Sequence, residues 1–73
     1  MSTTLEGIGA AIRLARESAG LTQEELAQQI GVSRYWLLRA ERGAGRMELD
    51  LVLRACRVLG IDVRFVLPNG VVA

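Results

Sequence analysis

Apolar residues recur along this chain with two different periods, and the change from one to the other divides it. Up to Leu59 they return every three or four positions, the spacing of one helix face, whereas from Ile61 the pattern changes to alternation. Leu5, Ile8, Ile12 and Ala15 predict a first helix starting near Thr3, where Glu6 stands three residues after a threonine and completes a capping box. Gly7 and Gly9 weaken that helix by about 1 kcal/mol each relative to alanine, so tertiary contacts must hold it, and Gly20 ends it. Thr22 and Glu25 repeat the capping box ahead of a second helix of about eight residues with Leu26, Ala27 and Ile30 facing inward. Gly31 permits a sharp turn, Ser33 caps a third helix and Gly43 closes it, so roughly three residues separate two helices whose axes must cross steeply. A fourth helix is expected from Glu48 to Leu59, with Leu49, Val52, Leu53, Cys56 and Leu59 on its inner face. The class predicted is all-α, with four to five helices.

The alternating segment 61–67 places Ile61, Val63, Phe65 and Leu67 on one face and Asp62 and Arg64 on the other, before Pro68, Asn69 and Gly70 make a turn. It reads as a short C-terminal β-strand. A lone strand has unpaired backbone groups, and two copies meeting antiparallel across a two-fold axis satisfy both. Ile61, Val63, Phe65 and Leu67 are therefore the expected dimerisation residues; the alternative is a tail that folds over the core. Length points the same way. Seventy-three residues make one domain, 1–73, whose core supplies marginal stability unless a second subunit adds buried surface, and 51% hydrophobic content is high for a lone soluble chain.

Charge changes the picture only through its placement, since nine arginines nearly cancel eight acids. Between Gly31 and Arg46 four arginines face a single glutamate, while the remainder of the chain is net negative. Turning the third helix at 100° per residue gathers Trp36, Leu37 and Ala40 on one side, and Arg34, Tyr35, Leu38, Arg39 and Arg42 on the other with no carboxylate among them. Phosphates or guanine edges satisfy such a face, and that is the layout of a helix-turn-helix whose second helix enters the DNA major groove. Trp36 is expected to pack in the core. Cys56 is a lone cysteine on an apolar stripe with no histidine in the chain, so neither an internal disulfide nor a metal site is expected. No nucleophile motif or phosphate-cradling glycine loop is present, so neither catalysis nor a cofactor is expected. No apolar run approaches the ~20 residues that cross a bilayer, and the N-terminus lacks a basic leader; the expected location is the cytoplasm, without membrane contact.

The segment IRLARESAGLTQEELAQQIGVSRYWLLRAERG resembles the phage-repressor-like (XRE/Cro-type) helix-turn-helix family in the spacing IR..R...GLTQEELA...GVSR..L...ERG. With LDLVLRACRVLGID and a terminal strand behind it, the chain looks most like the HipB-type antitoxin branch. The resemblance implies that Gln23 contacts a phosphate and braces the recognition helix, that Ser33, Arg34, Tyr35 and Arg39 meet backbone phosphates and base edges, and that Leu38 lies on the groove side. It implies a buried ion bridge between Arg16 and Glu41. Ala44, Gly45 and Arg46 depart from the lysine, proline or capping hydroxyl that many relatives carry after ERG. For the HipB-type branch the resemblance further implies a dimerising strand, autoregulation of an operon and a HipA-like kinase toxin as partner.

The combined expectation is a homodimeric repressor that reads a palindromic double-stranded operator, with recognition helices in successive major grooves about 34 Å apart. Arg34, Tyr35 and Arg39 carry base recognition, Leu38 meets a thymine methyl, and Gln23, Ser33 and Arg42 position the protein on phosphates with Arg46 beside them. The alternative is a protein-interaction module whose main task is to hold the toxin or another protein.

Overall fold

The computed structural model describes residues 4–70 and 72, and among them four helices: α1 (Leu5–Ser18), α2 (Gln23–Ile30), α3 (Arg34–Arg42) and α4 (Leu49–Leu59). The starts of α2 and α3 follow from short polar residues that satisfy orphaned backbone amides. Thr22 Oγ1 accepts from the Glu25 amide at 3.1 Å while Glu25 Oε1 accepts from the Thr22 amide at 2.9 Å, so the second capping box is complete. Both Thr22 contacts, the backbone one foremost, hold the Glu25 carboxyl below its ordinary pKa. Ser33 Oγ accepts from the Trp36 amide at 3.0 Å and starts α3. Three residues, 31–33, join α2 to α3, with Gly31 left-handed at φ 87°. Arg54 reaches over from α4 and donates to the Ile30 carbonyl at 3.1 Å, closing the C-terminal end of α2.

The core lies where all four helices meet. Ile12, Leu26, Ile30 and Leu37 are wholly buried, each contributing about 1.5–3 kcal/mol by leaving water, and Ala27 and Ala55 fill the gaps between them. Ile8, Leu21, Val32, Trp36, Leu59 and Ile61 pack around this centre. Cys56 is buried too, and burial pushes its thiol pKa up, so it acts as a small apolar residue. The most extensive contact is between α1 and α3. Gly9 makes it possible: a Cβ there meets the Ala40 carbonyl oxygen head-on and the Glu41 carbonyl oxygen at 2.6 Å. The glycine that weakens α1 as an isolated helix is thus the one that lets α1 lie against α3.

Three expectations need correction. The first helix begins at Leu5 with Thr4 as its cap, Thr4 Oγ1 accepting from the Gly7 amide at 2.9 Å; the box expected between Thr3 and Glu6 involves a residue outside the described ones. The start is set by packing, because the backbone of Leu5 and Glu6 lies directly against Gly43. On α4 the inner face is Val52, Ala55, Cys56 and Leu59, while Leu49 is 66% exposed and Leu53 is exposed as well. Five apolar positions make a stripe wider than the core can take, and periodicity cannot choose which edge stays out.

The strand expected over 61–67 is absent among the described residues. Residues 61–65 carry no regular secondary structure, and among the described residues the only pairing is an isolated antiparallel bridge between Val66 and Val72 around the turn closed by Gly70 N–H to the Leu67 carbonyl at 2.8 Å. Alternation survives in the side chains: Asp62 and Arg64 share a face, and Arg64 Nε donates to Asp62 Oδ2 at 2.7 Å within the chain. Ile61 packs against the core, but Val63, Phe65 and Leu67 remain exposed. A segment without a neighbouring strand has nothing to build a ladder on.

Candidate nucleic-acid interface

The sole carboxylate of α3 is Glu41, and the fold turns it inward. Its side chain is 4% exposed and receives Arg16 as a fork, Nε to Oε2 at 2.6 Å and Nη2 to Oε1 at 3.1 Å. Arg16 Nη1 donates to the Leu21 carbonyl at 2.9 Å, and Gln23 Nε2 donates to Glu41 Oε1 at 3.2 Å. This network ties the end of α1, the start of α2 and the last turn of α3 to one carboxylate. Donating to Glu41 raises the Arg16 pKa further above its ordinary value, so the guanidinium keeps its charge. With Glu41 neutralised inside, the outward side of α3 carries positive charge alone.

Two clefts flank that helix. One, between α3 and the segment leading to α4, is lined by Ser33, Tyr35, Trp36, Arg39, Ala40, Arg46 and Glu48. Here the Arg39 guanidinium lies over the Tyr35 ring, 5.7 Å from its centroid, and the Trp36 indole N–H donates to Glu48 Oε2 at 3.0 Å. Glu48 is the N-cap residue of α4, so Trp36 fastens α3 to α4. The second cleft, among α1, α2 and α3, is lined by Arg13, Arg16, Gln23, Leu38, Glu41 and Arg42. Arg34, at the first position of α3, is exposed and lines neither cleft.

The structure therefore brings Ser33, Tyr35, Arg39 and Arg46 together on one side, and Gln23, Leu38 and Arg42 on the other. Ser33 Oγ uses its lone pair on Trp36, leaving its hydroxyl proton to donate outward, and the Gln23 amide keeps a second N–H beyond the one given to Glu41. Leu38 is half-buried in the second cleft, less open than the helix wheel implies. Sequence reasoning missed Arg13, which enters the same cleft as Arg42; its spacing three residues before Arg16 on α1 was the available signal. It also missed Glu48 as the partner of Trp36, which no local pattern reveals.

Two short helices joined by a three-residue turn, the second presenting a cationic face, define a helix-turn-helix protein. The chain belongs to the helix-turn-helix domain family, which it matches over residues 8–64. Over 49 residues it is 45% identical to an uncharacterized HTH-type transcriptional regulator of Methanothermobacter thermautotrophicus, a stretch covering 67% of this chain and 71% of that protein. It is similar to the crystal structure of the clp gene regulator ClgR from Corynebacterium glutamicum, with a TM-score of 0.76 and 35% identity over 85% of this chain and 80% of that one. A second ClgR crystal structure gives a TM-score of 0.73 and 36% identity, covering 81% of this chain and 63% of its own. Among the described residues no helix is long and apolar enough to cross a membrane, and no group of three or more histidine, cysteine or acidic side chains could hold a metal ion.

Proposed function

We propose that this chain is a DNA-binding transcription regulator, acting as a homodimeric, sequence-specific repressor on a palindromic operator. The observation that carries the proposal is the segregation of charge on α3: Arg34, Tyr35, Arg39 and Arg42 face outward while its one acid, Glu41, is buried against Arg16. Relatives described as transcriptional regulators support the same reading. Arg34, Tyr35 and Arg39 contact base edges; Gln23, Ser33, Arg42 and Arg46 hold phosphates, and Arg13 joins Arg42 in that task. Dimerisation uses the side-chain face of Val63, Phe65 and Leu67 with the neighbouring Leu49 and Leu53, rather than a backbone ladder. The protein supplies no catalytic step.

The test is selection of bound sequences from a random duplex pool, followed by titration of the winner at two salt concentrations. A palindrome with binding that falls steeply as salt rises is the expected outcome, because each phosphate contact releases a counterion. Arg39→Ala should weaken binding by about 1–3 kcal/mol and relax preference at one base pair. Absence of any enriched sequence overturns the proposal.

A second reading is favoured by the apolar groove formed by Ile8, Ala11, Leu49, Leu53, Val63 and Phe65. In it the chain is an antitoxin of HipB type, the groove holds a kinase-like toxin, and DNA binding autoregulates the operon. Binding of such a partner hardly responds to salt, which separates it from the operator complex.

A further inference from the structure

Gly45 stands in the segment between α3 and α4 with φ 72°, a backbone conformation that most side chains resist. Its bare Cα faces the tip of Arg39: a Cβ built on Gly45 collides with Arg39 Nη2 and comes within 2.8 Å of Arg39 Cζ. The same guanidinium lies over the Tyr35 ring. Arg39 is thus held between an aromatic side chain one helical turn earlier and a stretch of backbone that has room for it only because residue 45 lacks a side chain. The three atoms nearest to that Cβ position all belong to Arg39, the third being Nε at 3.4 Å, so an added methyl group meets this one flexible side chain first.

We propose that Gly45 is a positioning residue for DNA recognition, setting the direction of the Arg39 guanidinium together with Tyr35. The inference rests on the reading of Arg39 as a base-contacting residue. A guanidinium already confined on two sides loses less rotamer freedom when it meets a base edge, and its fork is presented in one orientation. Position 45 thereby acts on specificity without touching the base.

The experiment is a double-mutant cycle on operator binding with Gly45→Asn, Arg39→Ala and the double variant. Asparagine tolerates positive φ better than other side chains while supplying the Cβ. Gly20→Asn serves as control, since Gly20 has φ 73° and a Cβ there meets nothing within 4 Å. Gly45→Asn is expected to lose roughly two- to tenfold in affinity, the range set by immobilising one long side chain, and to relax preference at the base pair that Arg39→Ala relaxes. The same substitution in the Arg39→Ala background is expected to change nothing, and Gly20→Asn should bind as the parent does while matching Gly45→Asn in thermal stability. Losses that add in the double variant, an affinity gain in Gly45→Asn, or relaxation at a different base pair overturn the inference while leaving the role of Arg39 intact. An Arg39→Ala variant with full affinity and selectivity overturns both.

Discussion

The segment from Thr22 to Gly43 and the segment from Ile61 to Val72 are both rich in local signals, yet only the first becomes regular structure within one chain. In the first, each signal is answered nearby: Thr22 by Glu25, Ser33 by the Trp36 amide, Gly31 by a three-residue turn. In the second, alternation of apolar and charged residues yields a tail with a single bridge among the described residues, and Phe65 stays 64% exposed. A helix satisfies its own backbone, while a strand needs a neighbour, so the same clarity of pattern carries different weight in the two cases.

The sharpest way to break the contrast is to remove what anchors the first region. Glu41→Ala strands the Arg16 guanidinium in a half-buried site and deprives Gln23 of its acceptor, and should cost about 3–5 kcal/mol in denaturant unfolding before any effect on DNA is considered. Next in size is Gly9→Ala, which drives a methyl group into the Ala40 and Glu41 carbonyls. Although alanine favours helix, this variant should lose about 1–3 kcal/mol by the same assay; a gain in stability would falsify the close α1–α3 approach.

Thr22→Ala removes one capping bond and should cost about 1 kcal/mol. The pH dependence of the same cap has a definite sign. Glu25 has a folded pKa below its usual 4.5, so its contribution is complete above that value and fades as pH falls through the lower folded value. In acid titration, the difference in stability between parent and Glu25→Gln should be constant above that value and change with pH only in that window. The smallest effect on the fold is expected in the tail: Phe65→Ser should shift unfolding of the monomer by less than about 0.5 kcal/mol. The same variant should abolish the proposed dimer in sedimentation and weaken operator binding. If Phe65→Ser unfolds the protein and leaves association unchanged, the tail belongs to the monomer core instead.

Much of the candidate site was legible because helix periodicity and capping are local. Turning 34–42 at 100° per residue separates Leu37 and Ala40 from Arg34, Tyr35, Arg39 and Arg42, and the fold keeps that division. Arg16 and Glu41 came from resemblance to a spacing pattern, since no wheel joins residues 25 positions apart. Leu38 was read as fully outward because a wheel of one helix does not know that α1 and α2 rise beside it and half-cover that position. Gly9 was read as a defect because propensity measures a helix alone.

Residue order and periodicity were enough for the four helices, their caps at Thr22 and Ser33, and the cationic face of α3, because each depends on groups within about one helical turn. Packing settled the rest: which edge of the α4 stripe stays exposed, where α1 starts, why Gly9 has no side chain, and that residues 61–67 carry no ladder. These depend on surfaces brought together from distant parts of the chain, whose contacts no local period encodes.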